Sequence, residues 1–157
     1  MSKTFNKLVK VLSKKNLTIS TMESCTGGYI VNSITNIAGS SNILKYSAIT
    51  YSNEYKIAMG INPSIIDKYS VYSIETAQEM AINISNYSKS NIGIGITGKL
   101  NRKDESNNYG KDNEVFISIY YDNRFYNTQI IVDKKTRRQN KELIKNTIIT
   151  KLEELFI

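Results

Sequence analysis

Apolar residues recur along this chain with two different periods, and the switches between them lay out its elements. Phe5, Leu8, Val9 and Leu12 fall on one side of a helix expected over Ser2 to Lys14. Thr18 to Met22 alternates as a strand, and Ile30, Val31, Ile34 and Ile37 resume helical spacing until Gly39-Ser40-Ser41 ends it. Tyr46 to Ser52 alternates as a second strand. Asn53 to Met59 reads as a helical turn or short helix, and Pro63 suits the first turn of another over Ser64 to Lys68. Ile74, Ala77, Met80, Ala81 and Ile84 mark a helix from Ile74 to Tyr87, followed by the apolar run Asn91 to Ile96, of the kind a buried strand carries. Val115 to Tyr121 and Phe125 to Val132 pair as a hairpin about Asp122-Asn123, because Asn tolerates positive φ. Ile144, Ile148, Leu152 and Leu155 place a last helix over Gln139 to Leu155.

This order of elements predicts an α/β fold, a three-layer α/β/α sandwich with a mixed sheet. The length of 157 residues fits a single domain spanning residues 1–157 with a sizeable core. Gly98 to Asn113 is the one long polar stretch, which at this length is a functional or a mobile loop.

Composition narrows the chemistry. The chain has no histidine and one cysteine, Cys25. Ser-His-Asp and Cys-His catalysis are therefore excluded on this chain, an internal disulfide is impossible, and a metal site is not expected. Proton transfer is left to Lys, Tyr, Asp, Glu or a group of the substrate. No run approaches the roughly 18–20 apolar residues of a membrane span, and the start carries no secretory apolar region. The expected setting is cytoplasmic, without a membrane partner. The net charge of +7 is densest at Lys134, Lys135, Arg137, Arg138, Lys141 and Lys145. That cluster reads either as a nucleic-acid surface or as the solvated face and entry of the last helix. The helical reading is preferred, so nucleic acid is not the expected partner, although the same field favours anionic nucleotides.

Three segments carry candidate chemistry. Glu23-Ser24-Cys25-Thr26-Gly27-Gly28 sits where a strand turns into a helix. Free amides and the positive end of the dipole suit a phosphate or a developing oxyanion there, and Gly27 and Gly28 let a ligand approach the backbone. Alternatively Ser24 or Thr26 is a plain helix cap. Cys25 at a helix start is a possible nucleophile, ranked below Ser24 because no His accompanies it; its other role is packing beneath the turn. In Thr50-Tyr51-Ser52-Asn53-Glu54-Tyr55-Lys56, Tyr51 closes a strand and Lys56 begins the next helical turn. A Lys serves as base when burial or a nearby cation lowers its pKa, and Tyr relays or positions a proton; the alternative is a strand end and a surface charge. Gly93 to Gly98 matches GxGxxG, but its first glycines lie inside a strand and no helix follows, so a dinucleotide site is rejected. Thr97-Gly98 remains as a hydroxyl and flexible backbone at a strand's carboxyl end, where open α/β sheets bind ligands.

Together, Glu23-Ser-Cys-Thr-Gly-Gly28, Ile37-Ala-Gly-Ser-Ser41, Thr50-Tyr-Ser-Asn-Glu54 with Lys56, Gly60, Ser73 and Thr97-Gly98 resemble the CinA C-terminal domain family, the nicotinamide-nucleotide amidases. The likeness extends over nearly the whole chain and looks like the stand-alone form of that domain. It implies metal-independent, cofactor-free hydrolysis of the carboxamide of nicotinamide mononucleotide to nicotinic acid mononucleotide and ammonia. By resemblance Ser24 is the nucleophile, Lys56 its general base and proton carrier, and Tyr51 a positioning or relay group. Amides around Cys25, Thr26, Gly27 and Gly28 are the choice for the oxyanion hole, Thr97 and Gly98 meet the substrate, and Arg137, with Arg138 as competitor, clamps the phosphate. The family also implies a homodimer or higher homo-oligomer. One departure is plain: members usually continue Thr-Gly-Ile-Ala-Gly-Pro, whereas this chain reads Thr97-Gly-Lys-Leu-Asn-Arg-Lys-Asp104. Either Lys99, Arg102 or Lys103 supplies charge to the substrate, or the pocket has changed. The alternatives are a hydrolase for another small amide, and a catalytically altered nucleotide-binding or DNA-uptake and repair accessory protein.

Overall fold

The structure, a computed structural model, describes residues 2–157; Met1 lies outside the described residues. Five strands form one sheet in the order β2-β1-β3-β4-β5. β1 (Ile19–Glu23) runs parallel to both of its neighbours, β2 (Leu44–Ile49) and β3 (Ile92–Gly98). β4 (Glu114–Tyr121) pairs antiparallel with β3, and β5 (Arg124–Ile131) antiparallel with β4. The sheet is mixed, as the order of elements predicts.

Helices cover both faces. On one side α1 (Asn6–Lys14), α2 (Tyr29–Thr35) and α6 (Arg137–Phe156) pack over Ile19, Ile92, Ile94, Ile96, Ile117 and Ile119. On the other, α4 (Pro63–Tyr69) and α5 (Ile74–Ser88) enclose a smaller cluster of Met22, Ile61, Met80 and Ile84. α3 (Asn53–Ala58) follows β2. This is the three-layer sandwich.

The glycine pattern of β3 has its explanation here. A Cβ on Gly93 would lie 2.0 Å from the Ala81 carbonyl oxygen, and one on Gly95 would lie 2.2 Å from that of Ala77. Two missing methyl groups therefore let α5 rest directly on the strand backbone.

Several element boundaries differ from the sequence expectation, three of them for physical reasons that bear on the site. The first helix begins at Asn6 rather than Ser2 because the preceding residues are pinned to α6: the Lys3 amide donates to Asn146 Oδ1 (2.9 Å) and Lys3 Nζ pairs with Glu153 (2.7 Å). β2 begins two residues and ends three residues upstream of the expected strand. Its last tie is the Thr50 amide donating to the Glu23 carbonyl (2.8 Å), after which Ser52 caps α3 by accepting from the Tyr55 amide (3.2 Å). β3 continues to Gly98, so Thr97 lies within the ladder. Among the described residues, no helix is long and apolar enough to cross a membrane.

Candidate active site

The carboxyl ends of the three parallel strands converge, bringing together the segments after β1, β2 and β3. Ser24 is the first residue beyond β1, its amide donating to the Ile96 carbonyl of β3 (3.0 Å). The turn that follows differs from the sequence picture. Neither Ser24 nor Thr26 caps α2; the buried Glu23 carboxyl group does, accepting from the Ile30 (3.0 Å) and Val31 (2.9 Å) amides. Thr26 donates to the same group (2.6 Å), and Thr21 adds a longer bond (3.3 Å). An acidic group satisfies the unpaired first-turn amides and the positive helix end. The helix end expected to receive a ligand's phosphate or oxyanion is thus filled by the protein itself. Gly27 and Gly28 have φ of 59° and 97°, so their glycine character serves the left-handed turn.

Lys56 lies on α3 with 2% of its surface exposed. Its Nζ donates to Ser24 Oγ (2.9 Å) and to the Thr50 carbonyl (2.8 Å). Burial lowers its pKa from 10.5 to about 8, with negative charge at Cys25 and Asp104 acting the other way. Burial also pushes the Cys25 thiol up to about 12, opposed by the positive charge of Lys56 and reinforced by the negative charge of Glu23. The thiol is therefore neutral near pH 7, which leaves Asp104 as the negative charge that opposes the effect of burial on Lys56. Cys25 packs under the turn, the lesser of its two expected roles being unsupported by its chemistry.

A cavity of about 730 Å³ opens beside this pair, lined by Ser24, Cys25, Tyr51, Lys56, Gly98 and Arg137 from the predicted set. Thr26, Gly27, Gly28 and Thr97 do not line it. Thr97 is buried and donates to the Val71 carbonyl (2.8 Å), a structural stitch where substrate contact was expected. Tyr51 is 63% exposed at the rim, where its Oη accepts from Arg137 Nη2 (3.3 Å). Among the described residues no hydrogen bond links Tyr51 directly to Ser24 or Lys56. Arg137 is placed by the capping box of Thr136 and Gln139 at the start of α6. Arg138 faces a separate groove of about 260 Å³ with Tyr29, Glu142 and Lys145, so of the two arginines only Arg137 reaches the main cavity.

The opposite wall carries Lys99, Arg102 and Lys103, which the sequence offered, and is tied together by Tyr72, Asp104 and Asn107, to which the sequence assigned no role. Tyr72 donates to the Asp104 carboxyl group; burial and that bond raise the phenol's pKa, and the same bond lowers that of Asp104. Asp104 also accepts from the Ser106 amide (2.9 Å) and Asn107 Nδ2 (3.2 Å), while Asn107 Oδ1 accepts from Asn53 Nδ2 (3.2 Å). Residues 99–113 are thereby strapped across the cavity. The one available signal for Asp104 was its place in the single long polar stretch; Tyr72 offered none. The lining holds five cations (Lys56, Lys99, Arg102, Lys103, Arg137) against one acid, Asp104. Among the described residues, no group of three or more His, Cys, Asp or Glu is arranged to hold a metal ion.

Fold and site define an α/β sandwich protein with a buried serine–lysine pair in a basic cavity. A family model described as the CinA C-terminal domain matches residues 1–156, and the chain belongs to that family. A CinA-like protein of Flavobacterium psychrophilum is 44% identical over 115 residues, covering 71% of this chain and 27% of that protein. A relative in Clostridium botulinum (strain Langeland) is 35% identical over 145 residues, 92% of this chain and 34% of the relative. The chain thus spans about a third of the length of these relatives or less. The fold is that of a CinA superfamily protein from Escherichia coli (TM-score 0.88, 19% identity, 96% of this chain and 87% of that one). A competence/damage inducible protein from Agrobacterium tumefaciens is also similar (TM-score 0.82, 24% identity, 94% and 92% covered).

Proposed function

We propose that the chain is a metal-independent amidohydrolase that deamidates nicotinamide mononucleotide, with Ser24 as nucleophile and Lys56 as the group that moves the proton. The observation that carries this reading is the 2.9 Å contact between Lys56 Nζ and Ser24 Oγ, with the amine's pKa lowered by burial to about 8. The neutral amine takes the Ser24 proton as Oγ bonds to the carboxamide carbon, and the carbonyl electrons move onto oxygen. The ammonium then protonates the amide nitrogen, the C–N bond breaks, and ammonia leaves an ester on Ser24. Water, deprotonated by the same amine, attacks that ester. Its collapse returns the proton to Ser24 and releases nicotinic acid mononucleotide. Of the turn residues Cys25 to Gly28, Cys25 alone lines the cavity, which supports its amide as the oxyanion donor. The excess of cations in the cavity supports an anionic substrate.

Tyr51 enters this scheme as a positioning group for Arg137 at the rim. A homodimer or larger assembly is part of the same proposal. The test is ammonia release from the mononucleotide by the purified protein. Ser24→Ala and Lys56→Ala are expected to lose most of that activity while keeping the wild-type circular dichroism. Stabilisation by the mononucleotide without ammonia would instead mark a nucleotide-binding accessory protein, and turnover of other amides alone would move the substrate. Rates unchanged in both variants would remove the catalytic assignment.

A further inference from the structure

Lys99 is the cavity cation whose hydrogen bonding the fold leaves incomplete. It follows Gly98 at the end of β3, where its amide donates to the Glu114 carbonyl (3.1 Å) and fixes the direction of the chain. Only 3% of the residue is exposed, yet among the described residues Nζ has no hydrogen-bond partner. The Asp112 carboxyl group is 3.6 Å away, close enough for an ion pair and too far for a hydrogen bond. The Tyr72 ring lies 4.8 Å from Nζ and supplies a cation–π contact, which satisfies charge but no donor. The other cations of the cavity are provided for. Lys56 donates to Ser24 and Thr50, Arg137 donates to Tyr51, and Arg102 and Lys103 stand in solvent. A desolvated ammonium with three unmet donors is a site built for an incoming anion.

We propose that Lys99 binds the phosphate monoester of the mononucleotide, with Asp112 as the weaker partner that the phosphate displaces. This rests on the reading of the substrate above. The assignment follows from placement: the reacting carboxamide must lie at Ser24 and Lys56, and Lys99 belongs to the other wall, beside Tyr72. Phosphate is the anionic group of that substrate, and its three terminal oxygens match the three donors. Arg137, exposed and already bonded to Tyr51, attracts the ligand at the rim.

The experiment compares nicotinamide mononucleotide with nicotinamide riboside, which lacks the phosphate, in the wild type, Lys99→Met, Lys99→Arg and Asp112→Asn. Lys99→Met should raise KM for the mononucleotide about tenfold to a hundredfold and leave kcat/KM for the riboside within about twofold. Lys99→Arg should retain most of the preference. Asp112→Asn, at an exposed side chain, should fold normally and lower KM for the mononucleotide about twofold to fivefold. Inorganic phosphate should raise the Tm of the wild type and not that of Lys99→Met. Equal effects of Lys99→Met on both substrates, or a preference unchanged in all variants, would overturn the assignment while leaving hydrolysis intact. Phosphate stabilisation that depends on Lys99, with no ammonia from either substrate, would leave the anion site standing and remove the hydrolase.

Discussion

The two walls of the cavity are held in different ways. Ser24 and Lys56 are buried at the ends of regular elements, bonded to each other and to the Thr50 carbonyl. Facing them, residues 99–113 cross the opening without helix or strand, fastened chiefly through Tyr72, Asp104, Asn107 and Asn53. The reacting pair is positioned by the scaffold, and the ligand-facing charges are carried by a segment that can change without disturbing it. Substitutions on the first wall should therefore act on kcat, and those on the second on KM.

The largest expected effect is at Lys56. Lys56→Met should lower kcat by more than about a thousandfold, measured by ammonia release. The same variant should be more stable at pH 7 by about 1–3 kcal/mol, measured by denaturant titration, because a buried amine held near 8 pays desolvation in its charged form. The sign can be followed with pH. The unfolded chain keeps the Lys56 proton up to 10.5 and the folded chain only to about 8, so wild-type stability rises between those values and the gap to the variant closes. A variant that loses stability at pH 7 would show that the contacts of Lys56 outweigh its burial.

Next comes the pH profile. kcat should climb about tenfold per unit towards pH 8 and level off above it, since only the neutral amine accepts the proton. Cys25, at about 12, should add no inflection in that range, and Cys25→Ala should keep the profile. A rate flat through pH 8 would assign the proton transfer to another group. The smallest effect is on the second wall: Asp104→Asn weakens the tie to Tyr72 and should raise KM about threefold to tenfold with kcat little changed. Equal losses in kcat would mean that the strap also orders the reacting pair.

Much of this molecule was readable along the chain where the cause is local. Periodicity revealed the layers, Ser24 and Lys56 were marked by a turn and a helix start, and Arg137 by the family resemblance alone. What escaped depends on contacts distant in sequence. Nothing near Glu23 says that its carboxyl group will turn back to grip the amides of Ile30 and Val31. Tyr72 meets Asp104 across 32 residues, and Thr97 is drawn away from the cavity by Val71, 26 residues earlier. Tyr51 was misread because β2 ends sooner than its alternation suggests, which leaves the ring in the bend before α3. The glycines of β3 have a reason, the backbone of α5 lying directly on them, that is visible only in three dimensions.

Those two bare positions also govern the ceiling of the chamber. Where α5 settles fixes the entry to that helix, and the Thr97–Val71 stitch anchors the residue next to Tyr72. A single carbon added beneath the sheet would lift the roof from below. A side chain at either position would force α5 off the strand backbone, and with it the segment that carries Tyr72 into the cavity wall.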